Sequence, residues 1–272
     1  MTPLPSPALA KHSQRRRRAL RVLTFLAPNL FGLYDFVTRH IGARLGVATE
    51  LAVGSSYRQL AEADLAFVCG LPYVEAVRRG EPLEPLAAPV LRGSRYAGKP
   101  IYFSDVVVRR DSPHRKFADL RGQAWAYNEP QSQSGHGIVR HHLARHGETH
   151  AYFGRVVESG WHERSLAMIV SGAVDASAID SHVLAVALRD RPALAGQLRI
   201  IDTLGPSTIQ PLVARQDLPE RLKVAIQTLL AGLHRDPAAL PCLEQALVEK
   251  FVAVRDEDYD DIRRMQEVAA MK

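Results

Sequence analysis

Cysteine is nearly absent: Cys69 and Cys242 are the only two in 272 residues. Two thiols make no disulfide framework, so the fold must stand on its apolar core. Cys69 closes an apolar run, Leu65-Ala66-Phe67-Val68, and is expected as a buried free thiol. No segment approaches the roughly 18 apolar residues of a membrane span. Also missing are the Gly-x4-Gly-Lys-Ser/Thr phosphate loop, the Rossmann glycine fingerprint, the Gly-x-Ser-x-Gly elbow and any Cys-x-x-Cys pair. These absences remove the usual signatures of nucleotide-binding, serine-hydrolase and thiol-redox proteins. No internal repeat of fixed period is visible.

The net charge of +6 is partly local, with Arg15 to Arg18 in one run and Lys11 just before it. A solvated, disordered basic lead over residues 1–18 is the expectation. A nucleic-acid arm is not supported, because no aromatic-interleaved basic stripe, helix-turn-helix or zinc-finger spacing follows. Ala19 to Ala27 imitates a secretory signal. However, it is short, Arg21 interrupts it, and no small-x-small cleavage site follows, so no convincing export signal is read. A first strand over 21–26 fits better, with Pro28-Asn29 as its exit. His141, His142 and His146 supply an i, i+4 pair but no third metal ligand. They are read as a solvated face, and no metal or cofactor is expected.

What the chain does have is alternation. With 46% hydrophobic and 24% charged residues it is ordinary globular material, long enough for two lobes. Strands are expected at 49–53, 64–69, 100–109, 123–128, 153–157, 174–179, 198–204 and 210–214. Helices are expected near 33–45, 57–62, 72–79, 134–146, 162–171, 181–188, 219–234, 237–252 and 256–270, with a single turn at 117–122. Such alternation argues for mostly parallel sheets flanked by helices.

The segment most suggestive of chemistry runs from Trp125 to Gly137. A strand passes through a polar loop into a helix, with Ser132 and Ser134 as cap-type residues and Gly135 permitting close backbone approach. Free amides at a helix start, reinforced by hydroxyls, suit an anion, although an ordinary helix cap has the same pattern.

Several motifs then occur in order. Asp64 to Phe67 follows Tyr57 and Leu60, and Pro72-Tyr73-Val74 opens a helix. Tyr102-x-Ser104 leads into Val106 to Arg109, Asp111-Ser112-Pro113 and Ala118 to Gly122. Ser132-Gln133-Ser134-Gly135 is followed by Ser159 to Glu163, Gly172 to Ala176 and Ala178 to Ser181. In this order they resemble the substrate-binding proteins of phosphonate, phosphite and phosphate ABC importers, over about residues 20–235.

The resemblance implies the type II periplasmic-binding-protein fold, an α/β architecture of two lobes with two hinge crossings. Lobe one would hold residues 19–103 and 209–272, and lobe two residues 104–208. It implies a non-catalytic monomer that closes around a small oxyanion and is read by an ABC permease or a sensor protein. It implies an oxyanion on Ser132, Gln133, Ser134, Gly135 and His136, with Gln133 replacing the usual Thr. Tyr102 and Ser104 would reach in from the crossing strand, and His162, Glu163 and Asp180 from the second lobe. Tyr34 and Tyr73 would close the first. Caps at His162, Glu163 and Asp180, and packing at Tyr34 and Tyr73, stay open as plainer roles. A periplasmic location follows from the resemblance and a cytoplasmic one from the unread signal. A cytoplasmic sensor and a biosynthetic enzyme on the same fold remain alternatives.

Overall fold

The computed structural model describes residues 19–271, so the basic lead expected over 1–18 lies outside the described residues. In chain order the elements are β1 (Leu20–Thr24), α1 (Phe31–Leu45), β2 (Thr49–Val53), β3 (Leu65–Phe67), α2 (Gly70–Arg78), β4 (Leu83–Leu91) and β5 (Ile101–Arg109). Next come β6 (Ala124–Tyr127), α3 (Ile138–Arg145), β7 (Arg155–Glu158), α4 (His162–Val170), β8 (Ala176–Asp180), α5 (Ser181–Asp190), α6 (Pro192–Gln197) and β9 (Leu198–Thr208). The chain ends with β10 (Leu212–Arg215), α7 (Glu220–Gly232), α8 (Leu240–Gln245), β11 (Val248–Ala253) and α9 (Asp260–Ala270).

Two sheets form. One has strand order β11-β4-β10-β3-β1-β2, the other β7-β6-β8-β5-β9. The α/β class with two sheets and flanking helices is as expected, but the sheets are mixed rather than mostly parallel. Only β2-β1-β3 and β7-β6-β8 pair in parallel. The other pairs are antiparallel. Parallel pairs need a covering crossover, and the helices supply it in those two triplets. β10 instead arrives from the other sheet and enters between β3 and β4 pointing the opposite way.

Two elements depart from the sequence pattern. β4 carries Pro85 and Pro89, which argue against an interior strand, yet it lies between β10 and β11. The ladder accommodates this by slipping where Val213 comes to face Pro85. The helix expected over 237–252 stops at Gln245. Leu247 takes φ +54°, a left-handed conformation that ends a helix, and 248–253 continues as β11. Val248 and Phe251 of that strand are buried in the core of the first sheet.

The inner strands of the second sheet, β6, β8 and β5, are buried on both faces, and alternation divides their side chains. Val106, Val108, Trp125, Ala176 and Ala178 pack on one side, and Val107, Ala126 and Ile179 on the other. Two helices belong to both halves. α5 puts Leu184 and Ala187 against the second sheet and Val183 and Val186 into the core of the first. α9 puts Ile262 into the first core and Met265 against the second.

If β11 closes the first core in this way, Phe251→Ala should cost about 3–5 kcal/mol, the usual cost of deleting a buried Phe. Urea denaturation would show it, and a loss under about 1 kcal/mol would contradict the placement.

Candidate functional site in the cleft between the sheets

Strand ends from both sheets converge. β1 exits through Phe25 to Leu30, β3 through Cys69, β6 through Asn128 and Glu129, and β7 toward Trp161 and His162. β8 ends at Asp180, and Gln210 precedes β10. With Tyr34, Ser132, Ser134 and Val183 these residues line one pocket. Crevices beyond the carboxyl ends of parallel strands are where α/β proteins bind ligands. The cavity volume is about 40 Å³. One water needs roughly 10–15 Å³ on that measure, so the space suits a group of a few heavy atoms rather than a nucleotide.

The turn from β6 to α3 forms one wall. Ser132 caps it, its Oγ accepting the Gly135 N–H at 3.0 Å while its carbonyl accepts those of His136 and Gly137. Only glycine fits at 135, because a Cβ there would sit 2.0 Å from Asn128 Oδ1. Ser132 Oγ and Ser134 Oγ lie 3.4 Å apart, and Ser134 Oγ is 3.0 Å from His162 Nε2. His162 opens α4 and is 6% exposed. Burial alone pushes its pKa down to about 4, so the ring is neutral near pH 7.

A Ser–His pair of this length can also activate a nucleophile. Here His162 Nδ1 has no hydrogen-bond partner among the described residues, so no carboxylate orients the ring.

Asp180 ends β8 and caps α5. Its Oδ1 accepts the N–H groups of His182 (2.8 Å) and Val183 (3.3 Å), and its Oδ2 accepts Gln210 Nε2 at 2.6 Å. Burial raises its pKa to about 6 against the lowering by these bonds. Glu129, also pushed up by burial, accepts the Tyr57 hydroxyl at 2.6 Å across the cleft. Glu129 and Asp180 are the only charged side chains lining the pocket, among the described residues, and no Lys or Arg joins them.

Of the residues singled out from sequence, Tyr34, Ser132, Ser134, His162 and Asp180 meet in this pocket. Tyr102 and Ser104 lie behind it on β5, both hydroxyls buried without a well-formed hydrogen bond. Ser134 is beside Tyr102, and Asp180 pairs with Ser104 across the ladder. Gly135 contributes backbone only. Glu163 lies near Tyr34, whose pKa is raised first by burial and then by Asp180, Cys69 and Glu163, but it does not line the cavity.

Three expected contacts point elsewhere. The Gln133 side chain is 0% exposed and turns from the pocket to Ser207 and Met265. His136 Nδ1 pairs with the Pro130 carbonyl at 2.7 Å, and its ring lies against Tyr127 and His150. Tyr73 donates to Asp256 at 2.5 Å and packs edge-on to Tyr259. Each turns its polar end to another group of the protein, which sequence spacing does not reveal.

Asn128, Glu129, Trp161 and Gln210 line the pocket without having been assigned a role. Asn128, Glu129 and Trp161 sit inside quoted motifs, so position relative to a strand end was the available signal. Gln210 carried none. The histidines at 141, 142 and 146 join no group of three or more metal-type ligands, among the described residues.

The family model described as "ABC transporter, phosphonate, periplasmic substrate-binding protein" matches residues 24–259. A binding-protein component of an ABC phosphonate transporter from Pseudomonas aeruginosa superposes with TM-score 0.81 at 18% identity, over 93% of this chain and 87% of that one. PhnD1 from Prochlorococcus marinus, solved in complex with methylphosphonate, gives TM-score 0.77 at 18% identity, over 92% and 97% of the two chains. The periplasmic aliphatic sulphonate binding protein SsuA from Escherichia coli gives 0.65 at 18%, over 93% and 92%. At this identity the structural likenesses bear on the fold, which is the type II periplasmic-binding-protein architecture.

Burial lowers the pKa of His162, His182 and His136 from 6.5 to about 4. Between those values the unfolded chain binds more protons, so this stability is complete above pH 6.5 and is lost as pH falls toward 4. Asp180, raised from 3.8 to about 6, and Glu129 and Asp261, also raised by burial, work in the opposite sense, but the histidines lowered by burial, with His40, His141, His142 and His150 among them, outnumber these carboxylates. The urea midpoint should therefore fall from pH 7 to 4.5, and His182→Gln should flatten the slope. A flat or rising midpoint would contradict the buried neutral histidines.

Proposed function

The chain belongs to the phosphonate-type family of ABC-transporter periplasmic substrate-binding proteins, and on that premise we propose that it binds a small phosphorus oxyanion in its interlobe cleft. Such proteins deliver a small ligand to a membrane permease rather than transform it. Among the described residues, no helix is long and apolar enough to cross a membrane, which fits a partner that supplies the channel.

One observation carries the choice of ligand. The pocket offers hydroxyl and ring donors from Ser132, Ser134 and His162, yet its only charged lining groups are the carboxylates of Glu129 and Asp180. A fully ionised anion would be repelled by those carboxylates. An oxyanion that keeps one P–OH satisfies both sides. Its ionised oxygens accept from the serine turn, and its hydroxyl donates toward a carboxylate. Phosphonate, phosphite and phosphate all have such a form. Sulfate does not near neutral pH. A ligand amine would meet the carboxylates equally well.

Binding proceeds by closure. We place the lobes at about residues 19–103 with 209–272, and 104–208, so that β5 and the β9–β10 segment form the crossings. Tyr57 to Glu129 and Gln131 to Glu75 are hydrogen bonds that span the two sides of the cleft. The ligand would favour the closed arrangement by as much as it prefers it to the open one.

Calorimetry with methylphosphonate, phosphite, phosphate and sulfate is the test. At least one of the first three should bind at millimolar concentration or below, and sulfate about a hundredfold more weakly, equivalent to two decades of affinity. Ser134→Ala should weaken the preferred anion by about tenfold or more, because a donor to a charged group is lost. Glu163→Gln, outside the lining, should have the smaller effect. Failure of all three anions to bind would end the oxyanion reading, and the reverse mutant ranking would favour an amine-bearing ligand.

A further inference from the structure

Gln133 stands inside the anion turn but does not face the pocket. Its Nε2 donates to Ser207 Oγ at 3.1 Å, at the end of β9, and lies 3.2 Å from Met265 Sδ on α9. Its backbone N–H points at Cys69 Sγ, 3.4 Å away, on the connection from β3 to α2. One fully buried residue thus joins the turn to three elements drawn from both sheets.

The Gln133 side chain is not fully satisfied. Its Oε1 is buried with no hydrogen-bond partner among the described residues, and so is Nε2 of Gln266 on α9. One is an acceptor and the other a donor. Both crowd the same point, since a Cβ added at Gly137 would lie 2.5 Å from Gln133 Oε1 and 3.1 Å from Gln266 Nε2. Glycine at 137 keeps open the space beside both amides.

We propose that Gln133 is a positioning residue. Through Gln133, Met265 and Gln266, α9 holds the Ser132–Ser134 turn in its ligand-binding geometry, and the ligand does not touch the Gln133 amide. The position where the resembling proteins usually carry a threonine is thereby turned from the ligand toward the C-terminal helix. The clamp is intramolecular, and only the identity of its ligand rests on the oxyanion reading.

Hydrogen exchange of the peptide covering 131–138 tests the clamp in ligand-free protein. Gln266→Ala, and separately Met265→Leu, should speed exchange in that peptide by about tenfold while peptides from β4 are unchanged, the mark of a local opening. In calorimetry both variants should weaken methylphosphonate and inorganic phosphate by the same factor, leaving their ratio fixed. Gln133→Ala combined with Gln266→Ala should lose no more affinity than the worse single variant, because the two act as one contact. Unchanged exchange in both α9 variants would overturn the proposal. So would a Gln133→Ala protein that alters the methylphosphonate-to-phosphate ratio without altering exchange. If wild-type protein binds neither anion, the oxyanion reading falls and the exchange comparison still decides the clamp.

Discussion

An anion bound in this cleft would have to be held without a cation from the described residues. No Lys or Arg lines the pocket among the described residues, and Glu129 and Asp180 are the only charges there. Attraction therefore has to come from hydroxyls and a neutral imidazole fixed in direction. Such dipoles are effective only when the surrounding protein prevents them from turning away. That requirement explains how tightly the site is tied. Ser132 is committed to the Gly135 amide, Ser134 to His162, and Asp180 to two amides at the start of α5 and to Gln210. Neutral donors also leave the ligand's protonation state to decide the fit, because a buried carboxylate rewards a hydroxyl and penalises an ionised oxygen in the same place.

The same need for fixed geometry explains the two helices shared between the cores. α5 begins at Asp180 and spreads its apolar face over both sheets, while α9 crosses from the first core to the back of the anion turn. Close-packed interiors transmit small displacements rather than absorbing them. The back of the turn, where Gln133 rests on Met265, is therefore as much a part of the site as its face. Gln133 illustrates the limit of motif reading: its position in the turn is that of a ligand contact, and its side chain is structural.

Much of this was legible in the sequence. Cap residues before the α3 turn, the helical period of α1 and the apolar runs of β3 and β5 are local signals, and such signals gave most of the α/β elements. The ordered motifs gave the family. What failed was non-local. β4 was hidden because Pro85 and Pro89 contradict a strand, and only the register slip against β10 shows how it is accommodated. β11 was read as helix because Val248 and Phe251 have the i, i+3 spacing of a helix face, and the register shift between Val248 and Lys250 is what lets both reach the core from a strand. The left-handed Leu247 that decides the matter cannot be seen in composition. Parallel character was overestimated because the return of β10 from the other sheet is a property of topology, not of any segment.

The site residues divide along the same line. Ser132, Ser134 and Asp180 take their places from the strand or helix end that carries them, and a strand end is readable. Tyr73 and His136 depend on which partner lies within reach, Asp256 in one case and the Pro130 carbonyl in the other. Gln210 lies between β9 and β10 and meets Asp180 because the chain passes there from the second sheet to the first. The carboxylate that Gln210 fixes is also the one whose pKa burial lifts to about 6. The fold that buries Asp180 thus raises its pKa, while Gln210, a residue with no motif of its own, donates to it and lowers it.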